Sequence, residues 1–428
     1  MGVGGVAQRA IQEAVVRAIL TVERIQTGAT FYPVGKRFYE DPYATYRRLR
    51  ERDPIHYSRL FNGHVLTRHA DVTAVLRDSR YSADERKQAN WEKFHQQAIK
   101  QGIREPDEST TFSMLRSDPP DHTRLRGLVS RAFTPRTVEG LRGRVEAIVQ
   151  EHLDAVADQG GTDVIASLAY PLPVIIIGEM LGVPREDQAR FKHWSDEMVR
   201  GMGMSSVDDS RRSNRATREL RAYLEGVASA RRREPREDLL SALLAAEDNG
   251  ERLSDDDLYE TCSLLLVAGH ETTTNLIGNG LLALLRNPEQ FDMLRREPER
   301  IEHAVEEFLR YDSPVQATTR ILPEDIQFDG HTFKKGQQVA LMLGAANRDP
   351  AQFRDPERLD VTREDVKHAA FGHGIHFCLG APLARLEAPA AFRAMIERFP
   401  QMRLDDSVQP RWKENLILRG LEQLPVRF

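Results

Sequence analysis

Along the chain, apolar residues recur every three or four positions far more often than every second one, so the pattern predicts a mostly helical protein. Helical spacing covers residues 41–51, 71–77, 137–158, 184–199, 215–233, 239–247, 254–285, 287–295 and 301–311. Strand-like runs are confined to 64–67, 320–322, 326–328, 331–333 and 338–343, most of them in the last third. Asp329-Gly330, between two of those runs, is a tight hairpin signal. No internal repeat or low-complexity linker interrupts the pattern. The expected class is therefore mainly α with a small β region.

One helix stands apart. Ser254 can cap the segment 254–285, and Asp255, Asp256 and Asp257 fill its first turn, where the helix dipole favours acids. At about 1.5 Å per residue it would extend about 48 Å. A helix that long and that apolar must cross the core. The polar residues at its middle, from Gly269 through His270, Glu271 and Thr272, are then expected to be buried and to need partners. Near the start of the chain, Ile11, Val15, Ala18, Ile19, Val22 and Ile25 share one helical face, and Gly28 is placed to end the helix. Residues 1–40 are expected to be an extension carrying an amphipathic helix packed on the body. A surface membrane anchor or a partner-binding helix is the alternative.

Composition narrows the class. The 428 residues are 40% hydrophobic and 29% charged, ordinary for a large globular chain. A net charge of -5 gives no bulk electrostatic case for nucleic acid. No stretch of about 20 nearly uncharged apolar residues occurs, so no membrane span is expected. The two cysteines, Cys262 and Cys378, form no CxxC pair, which excludes a structural zinc site of the usual spacing. With no export signal, both thiols are expected to be reduced and the protein cytoplasmic.

The candidate chemistry centres on residues 371–380, FGHGIHFCLG. Glycines permit tight turns and close backbone approach around Cys378. A helical segment follows it, and a thiolate near a helix N-terminus is favoured. A glycine-flanked cysteine alone is as readily a small buried hydrophobe. The stretch resembles the haem-binding loop of the cytochrome P-450 family at each defining position: Phe371-Gly372, Gly374, His376, Cys378 and Gly380. The resemblance extends over about residues 41–428, including ANRDP at 346–350. Ala369 departs from the leucine frequent in bacterial members. The likeness implies one domain over 41–428, with a long central helix crossing the haem. It also implies haem b (iron protoporphyrin IX), with Cys378 as its axial metal ligand.

The same likeness implies roles for further residues. Glu307 and Arg310, in EEFLR, match an ExxR motif whose members share a helix face. Arg358, in DPERLD, matches the arginine that completes a structural triad with them. His122 and Arg126, four residues apart, with Arg320 and His376, match the family's partners for the haem carboxylates. Ala268 to Thr273 resembles the oxygen-binding stretch of the central helix, with Glu271 and Thr272 as the acid–alcohol pair that delivers protons. The alternative is that Thr272 bonds back to the i−4 carbonyl and Glu271 faces solvent. His270 has no role in the family and is expected to be packed or partnered.

These likenesses imply a haem-thiolate monooxygenase of the soluble bacterial class. It would insert one oxygen atom into a small apolar organic substrate by hydroxylation or epoxidation. No flavin or ferredoxin domain is recognisable, so electrons are expected from a separate ferredoxin and ferredoxin reductase. A basic patch of Arg124, Arg131, Lys367 and Arg385 would receive the ferredoxin. A peroxide-driven peroxygenase and a non-catalytic haem-thiolate sensor are the rival readings; the intact Glu271-Thr272 pair weighs against both. Pocket walls are expected within 91–115, 198–204, 265–268, 315–318 and 415–418. Trp91, Phe94, Phe112, Met114, Met198, Met202 and Met204 are the apolar candidates.

Overall fold

The computed structural model describes residues 3–106, 111–202, 206–248, 250–364 and 366–428, with side chains from residue 14 onward except at residue 248. Five helices organise the site: α1 (Val3–Thr27), α2 (Asp121–Ala132), α3 (Asp255–Leu285), α4 (Ile301–Tyr311) and α5 (Ala381–Arg398). α3 is the expected long helix. Ser254 Oγ accepts from the Asp257 N–H at 3.1 Å, and Asp257 Oδ2 accepts from the Ser254 N–H at 3.2 Å. This reciprocal cap satisfies two of the helix's free donors. Every residue from Leu276 to Leu284 is buried, because α4, α5 and the helix Pro171–Met180 pack around α3. Pro171–Met180 escaped the periodicity reading, since PLPVIIIGEM is apolar on nearly every side and presents no stripe. Trp91–Lys100 is a second helix not foreseen. The helix expected over 137–158 is interrupted near Gly140, into Pro135–Glu139 and Arg142–Asp154.

The β region is small. A four-stranded sheet has the order β1 (Ile55–Ser58), β2 (Gly63–Leu66), β4 (Gln338–Met342), β3 (Ala317–Ile321). β1 and β2 form an antiparallel hairpin, β2 runs parallel to β4 from Gly63↔Gln338 to Leu66↔Leu341, and β3 pairs antiparallel with β4. The expected hairpin of Ile326–Phe328 and His331–Phe333 turns at Asp329 and Gly330, both at positive φ. A last hairpin joins β5 (Arg411–Trp412) to β6 (Leu421–Gln423). Its intervening turn is tied to the chain before β3: Gln316 N–H donates to Ile417 O at 2.8 Å and Arg419 N–H to Pro314 O at 2.7 Å.

α1 is helical as expected but rotated relative to the expectation. Val15, Val22 and Ile25 point outward, at 53%, 42% and 79% exposure, while Glu23 is buried. Glu23 Oε1 accepts the Arg59 N–H at 2.8 Å, and Oε2 lies 3.6 Å from His56 Nε2. A buried carboxylate needs such partners, and they set which face of α1 turns inward. Ile11 lies outside the described side chains. Ala29, Phe31 and Phe38, which follow α1, share a buried cluster with Tyr46, Leu49, Val65 and Met342.

The ExxR pair is fully buried. Arg310 Nε and Nη2 donate to Glu307 Oε2 and Oε1 at 2.7 and 2.8 Å, both side chains at 0% exposure. The third arginine differs from the expected one. Arg358 is exposed and contributes its backbone carbonyl, accepting from Arg310 Nη2 at 3.1 Å. The guanidinium that reaches Glu307 belongs to Arg363, whose Nε lies 3.1 Å from Oε2. Five residues further along the loop, Arg363 can reach a carboxylate while Arg358 spends its backbone on the same cluster. Truncating one partner of a buried pair typically costs about 3–5 kcal/mol. Arg310→Ala should therefore lower the midpoint of denaturant unfolding sharply and Arg363→Ala less so. Arg358→Ala should stay within about 0.5 kcal/mol of the parent. Equal losses in Arg358→Ala and Arg363→Ala would contradict this assignment.

Candidate functional site

The loop before α5 is built by backbone constraints. Cys378 N–H donates to Phe371 O at 2.9 Å and closes it. Gly374 sits at φ +70°, and a Cβ there would come within 2.5 Å of the Leu76 carbonyl. Glycine is thus required both by conformation and by the close approach of the helix His69–Arg77. Cys378 is half-buried two residues before Gly380, the N-cap of α5. Burial pushes its thiol up, opposed by hydrogen bonds from the Gly380 and Ala381 N–H groups and by Arg126 and Arg385. Amide donors and nearby cations are what a thiolate ligand requires. Cys262 lies in the core and is pushed up to about 12 by burial alone.

The four residues expected to hold carboxylates converge near this loop. The His122 and His376 rings are 4.3 Å apart, and Arg126 Nη2 donates to Phe377 O at 2.7 Å. Neither ring nitrogen of the buried His122 has a hydrogen-bond partner of good geometry. Arg320 is 6% exposed, yet among the described residues it donates to Thr319 O at 2.8 Å and Thr318 Oγ1 at 3.4 Å and to no carboxylate. Burial, then Arg320 and His122, push His376 down to about 3. Buried ring nitrogens that can donate, beside two guanidiniums not hydrogen-bonded to a carboxylate, suit an anion. Among the described residues no group of three His, Cys, Asp or Glu side chains could hold a metal ion. A lone thiolate beside a cation cluster instead suits a metal that arrives inside an organic ligand bearing carboxylates. Iron protoporphyrin IX is such a group.

A cavity of about 350 Å³ is bordered at once by Cys378, Arg126, Arg320, His376, Ala268 and Thr272. Thr272 Oγ1 donates to Ala268 O at 2.9 Å, the back-bonded arrangement of the bland alternative. Glu271 does not face solvent. It is 3% exposed, and its Oε1 accepts from Lys413 Nζ at 2.5 Å and from Asn275 Nδ2 at 3.2 Å. His270 is buried beside it, with Nδ1 2.8 Å from Leu266 O, near Ser195 Oγ. Lys413 and Arg363 are the two functional candidates that sequence reasoning missed. Lys413 comes from a hairpin 142 residues away, with no motif around it.

Several pocket expectations need correction. Met114 and Met202 line the cavity with Leu264, Val315, Ile417 and Leu418. Trp91 instead stacks on His95, Phe94 is exposed, Phe112 packs under the Arg86 and Arg116 guanidiniums, and Met198 packs against the main core. Met204 lies outside the described residues. The basic docking patch also changes. Arg124 is paired with Asp257 at 3.1 Å, Arg131 donates to Glu247 O at 3.0 Å, Arg385 is held bidentately by Glu306, and Lys367 is likewise engaged. Arg124, expected in the ferredoxin-docking patch, pairs with the first turn of α3. Among the described residues no helix is long and apolar enough to cross a membrane.

The family profile described as cytochrome P450 matches residues 62–423. The chain is 42% identical to the polyketide biosynthesis cytochrome P450 PksS of Bacillus subtilis (strain 168), covering 92% of this chain and 98% of the relative. It is 42% identical to the cytochrome P450 monooxygenase PikC of Streptomyces venezuelae, covering 95% and 97%. The solved structure of PksS superposes with a TM-score of 0.84, covering 93% of this chain and 99% of that one. The structure of P450BioI, in complex with a hexadec-9Z-enoic acid ligated acyl carrier protein, superposes with a TM-score of 0.82 at 37% identity. It covers 92% of this chain and 99% of that one.

The contrast between the two cysteines is open to measurement. Cys378→Ala should abolish the red-shifted Soret band that a thiolate-ligated ferrous haem shows with carbon monoxide, whereas Cys262→Ala should retain it. Loss of the band in Cys262→Ala alone would reverse the assignment.

Proposed function

Because the chain belongs to the cytochrome P450 family, a family of haem b monooxygenases, we propose how its own residues divide the work and what they act upon. The observation that carries the reading is one cavity bordered at once by Cys378, Arg126, Arg320, His376, Ala268 and Thr272. Cys378 would ligate the iron, and His122, Arg126, Arg320 and His376 would hold the two carboxylates. When bound, the haem supplies the redox chemistry of dioxygen, with electron density from the thiolate favouring O–O cleavage.

The protein's remaining task is to exclude water and move protons. Ala268 leaves room beside the helix, and Leu264, Val315 and Leu418 make the cavity wall apolar and limit the entry of bulk water. Thr272, while donating to Ala268 O, keeps its hydroxyl lone pairs to accept from a water in the cavity. Glu271, one residue before it, is the acid that supplies protons to that water. Glu307, Arg310 and Arg363 fix the frame of the cysteine loop, and Arg358 assists through its carbonyl.

The apolar walls support a medium-sized or large apolar substrate. PksS is named for polyketide biosynthesis and the P450BioI complex holds an acyl chain. Both favour a polyketide-like or acyl substrate here, oxidised by hydroxylation or epoxidation. We assign electron supply to a separate ferredoxin and its reductase, working with a cytoplasmic enzyme. The test is reconstituted turnover on a substrate found by its spin-state shift. Product should form with NADH, ferredoxin and reductase. Thr272→Ala should keep haem and substrate binding, yet yield several-fold less product per NADH, the balance appearing as hydrogen peroxide. Equal coupling in Thr272→Ala would remove its proton role. Turnover with added peroxide but none with the ferredoxin pair would favour a peroxygenase instead.

A further inference from the structure

The carboxyl of Glu271 is held from outside its own helix. Lys413 follows β5, and its N–H donates to Gly420 O at 2.9 Å across the hairpin. Gly420 lies so close to α3 that a Cβ there would fall 1.8 Å from Asn275 Oδ1. Asn279 Nδ2, one turn further along α3, donates to Arg419 O at 3.0 Å. The hairpin backbone is thereby seated on α3, with Lys413 opposite Glu271. The pair is asymmetric: the Lys413 side chain is 22% exposed and the Glu271 side chain 3%. Of the charged groups around Glu271, His270 is buried with its Nε2 3.9 Å from Oε2, and Tyr170 and Asp196 lie beyond His270. Among the described residues, Lys413 is the ion-pair partner of Glu271 that reaches water.

We propose that Lys413 is the positioning residue for proton delivery: its ammonium clamps the Glu271 carboxylate against the hairpin, and its swing to solvent opens the path by which Glu271 is reprotonated. This rests on the reading of Glu271 as the proton-supplying acid. The backbone on both sides is fixed, so the moving part is the flexible four-carbon stem of the lysine. In each cycle the Glu271 carboxyl passes its proton through a water at Thr272 into the cavity. The carboxylate takes a replacement from bulk solvent, relayed by a water entering beside Lys413, so that one proton from bulk matches each proton passed inward. The site's net charge is unchanged.

The test compares Lys413→Met, Lys413→Arg, Lys413→Gln and Glu271→Gln in haem-loaded protein. In the diamagnetic ferrous carbon-monoxide form, with lysine labelled by ¹⁵N at Nζ, a protected ammonium resonance should be present. It should vanish in both Lys413→Met and Glu271→Gln; absence of that resonance from the parent overturns the clamp. In turnover, Lys413→Met should yield several-fold less product per NADH and an altered solvent isotope effect. Haem content and the substrate-induced spin shift should hold, and Lys413→Arg should restore most of the coupling. Should Lys413→Met fail to fold, Lys413→Gln keeps a hydrogen bond without the charge, and parental coupling in it overturns the proposal. Uncoupling in Glu271→Gln with parental coupling in Lys413→Met refutes the clamp alone. Parental coupling in Glu271→Gln refutes the acid itself.

Discussion

Two opposite charges at zero exposure are the constraint on which the site rests. Glu307 and Arg310 satisfy one another bidentately, but neither can be left with spare hydrogen-bonding capacity in the core. Arg310 therefore also takes the carbonyls of Asn347, Pro356 and Arg358, and Glu307 takes the Asp360 N–H and the Arg363 guanidinium. Those demands gather residues 347–363 onto α4. From there the order passes on: Asn347 Oδ1 accepts the Ala369 N–H at 2.7 Å, two residues before the loop that carries Cys378. An ion pair more than 60 residues upstream in sequence thus determines where the thiol stands.

Around the cavity the electrostatics run the other way. Arg320 and His122 are buried without the partners that a finished core would give them. Such groups weaken a protein unless an anion arrives. A cofactor that brings two carboxylates and an iron for Cys378 would complete the charge balance. Its binding energy would then add to the stability of the folded state, since the unfolded chain offers no such site. The same logic distinguishes the two thiols, one in reach of amide donors and arginines, the other enclosed by hydrocarbon.

α3 serves packing and chemistry with one sequence. From Leu276 to Leu284 its residues are buried, with α4 and α5 packed against the helix. At its middle the polar residues are each satisfied by something different: a carbonyl one turn back for Thr272, a lysine from the C-terminal hairpin for Glu271, and Leu266 O for His270. Burying these three polar groups in a core helix is tolerated because each has a partner. The choice of partner separates a hydroxyl facing the cavity from a carboxyl held against the C-terminal hairpin.

Local sequence determined much of this. Helical spacing, the Ser254 cap, the Asp329-Gly330 turn and the glycines around Cys378 act over a few residues, so they can be read without knowing what lies across the core. The motif residues Cys378, His376, Glu307, Arg310 and Thr272 were picked out by the resemblance of short stretches to the cytochrome P450 family; spacing alone left each open to a bland reading. Tertiary structure alone decided which distant group met each of them. Arg363 rather than Arg358 reached Glu307, Lys413 found Glu271, Asp257 claimed Arg124, and Glu23 turned the apolar face of α1 outward. Each joins a charged side chain to a group far from it along the chain. Side-chain type and spacing state that a buried charge needs a partner, but its identity follows from the packing of whole elements, which no local pattern encodes.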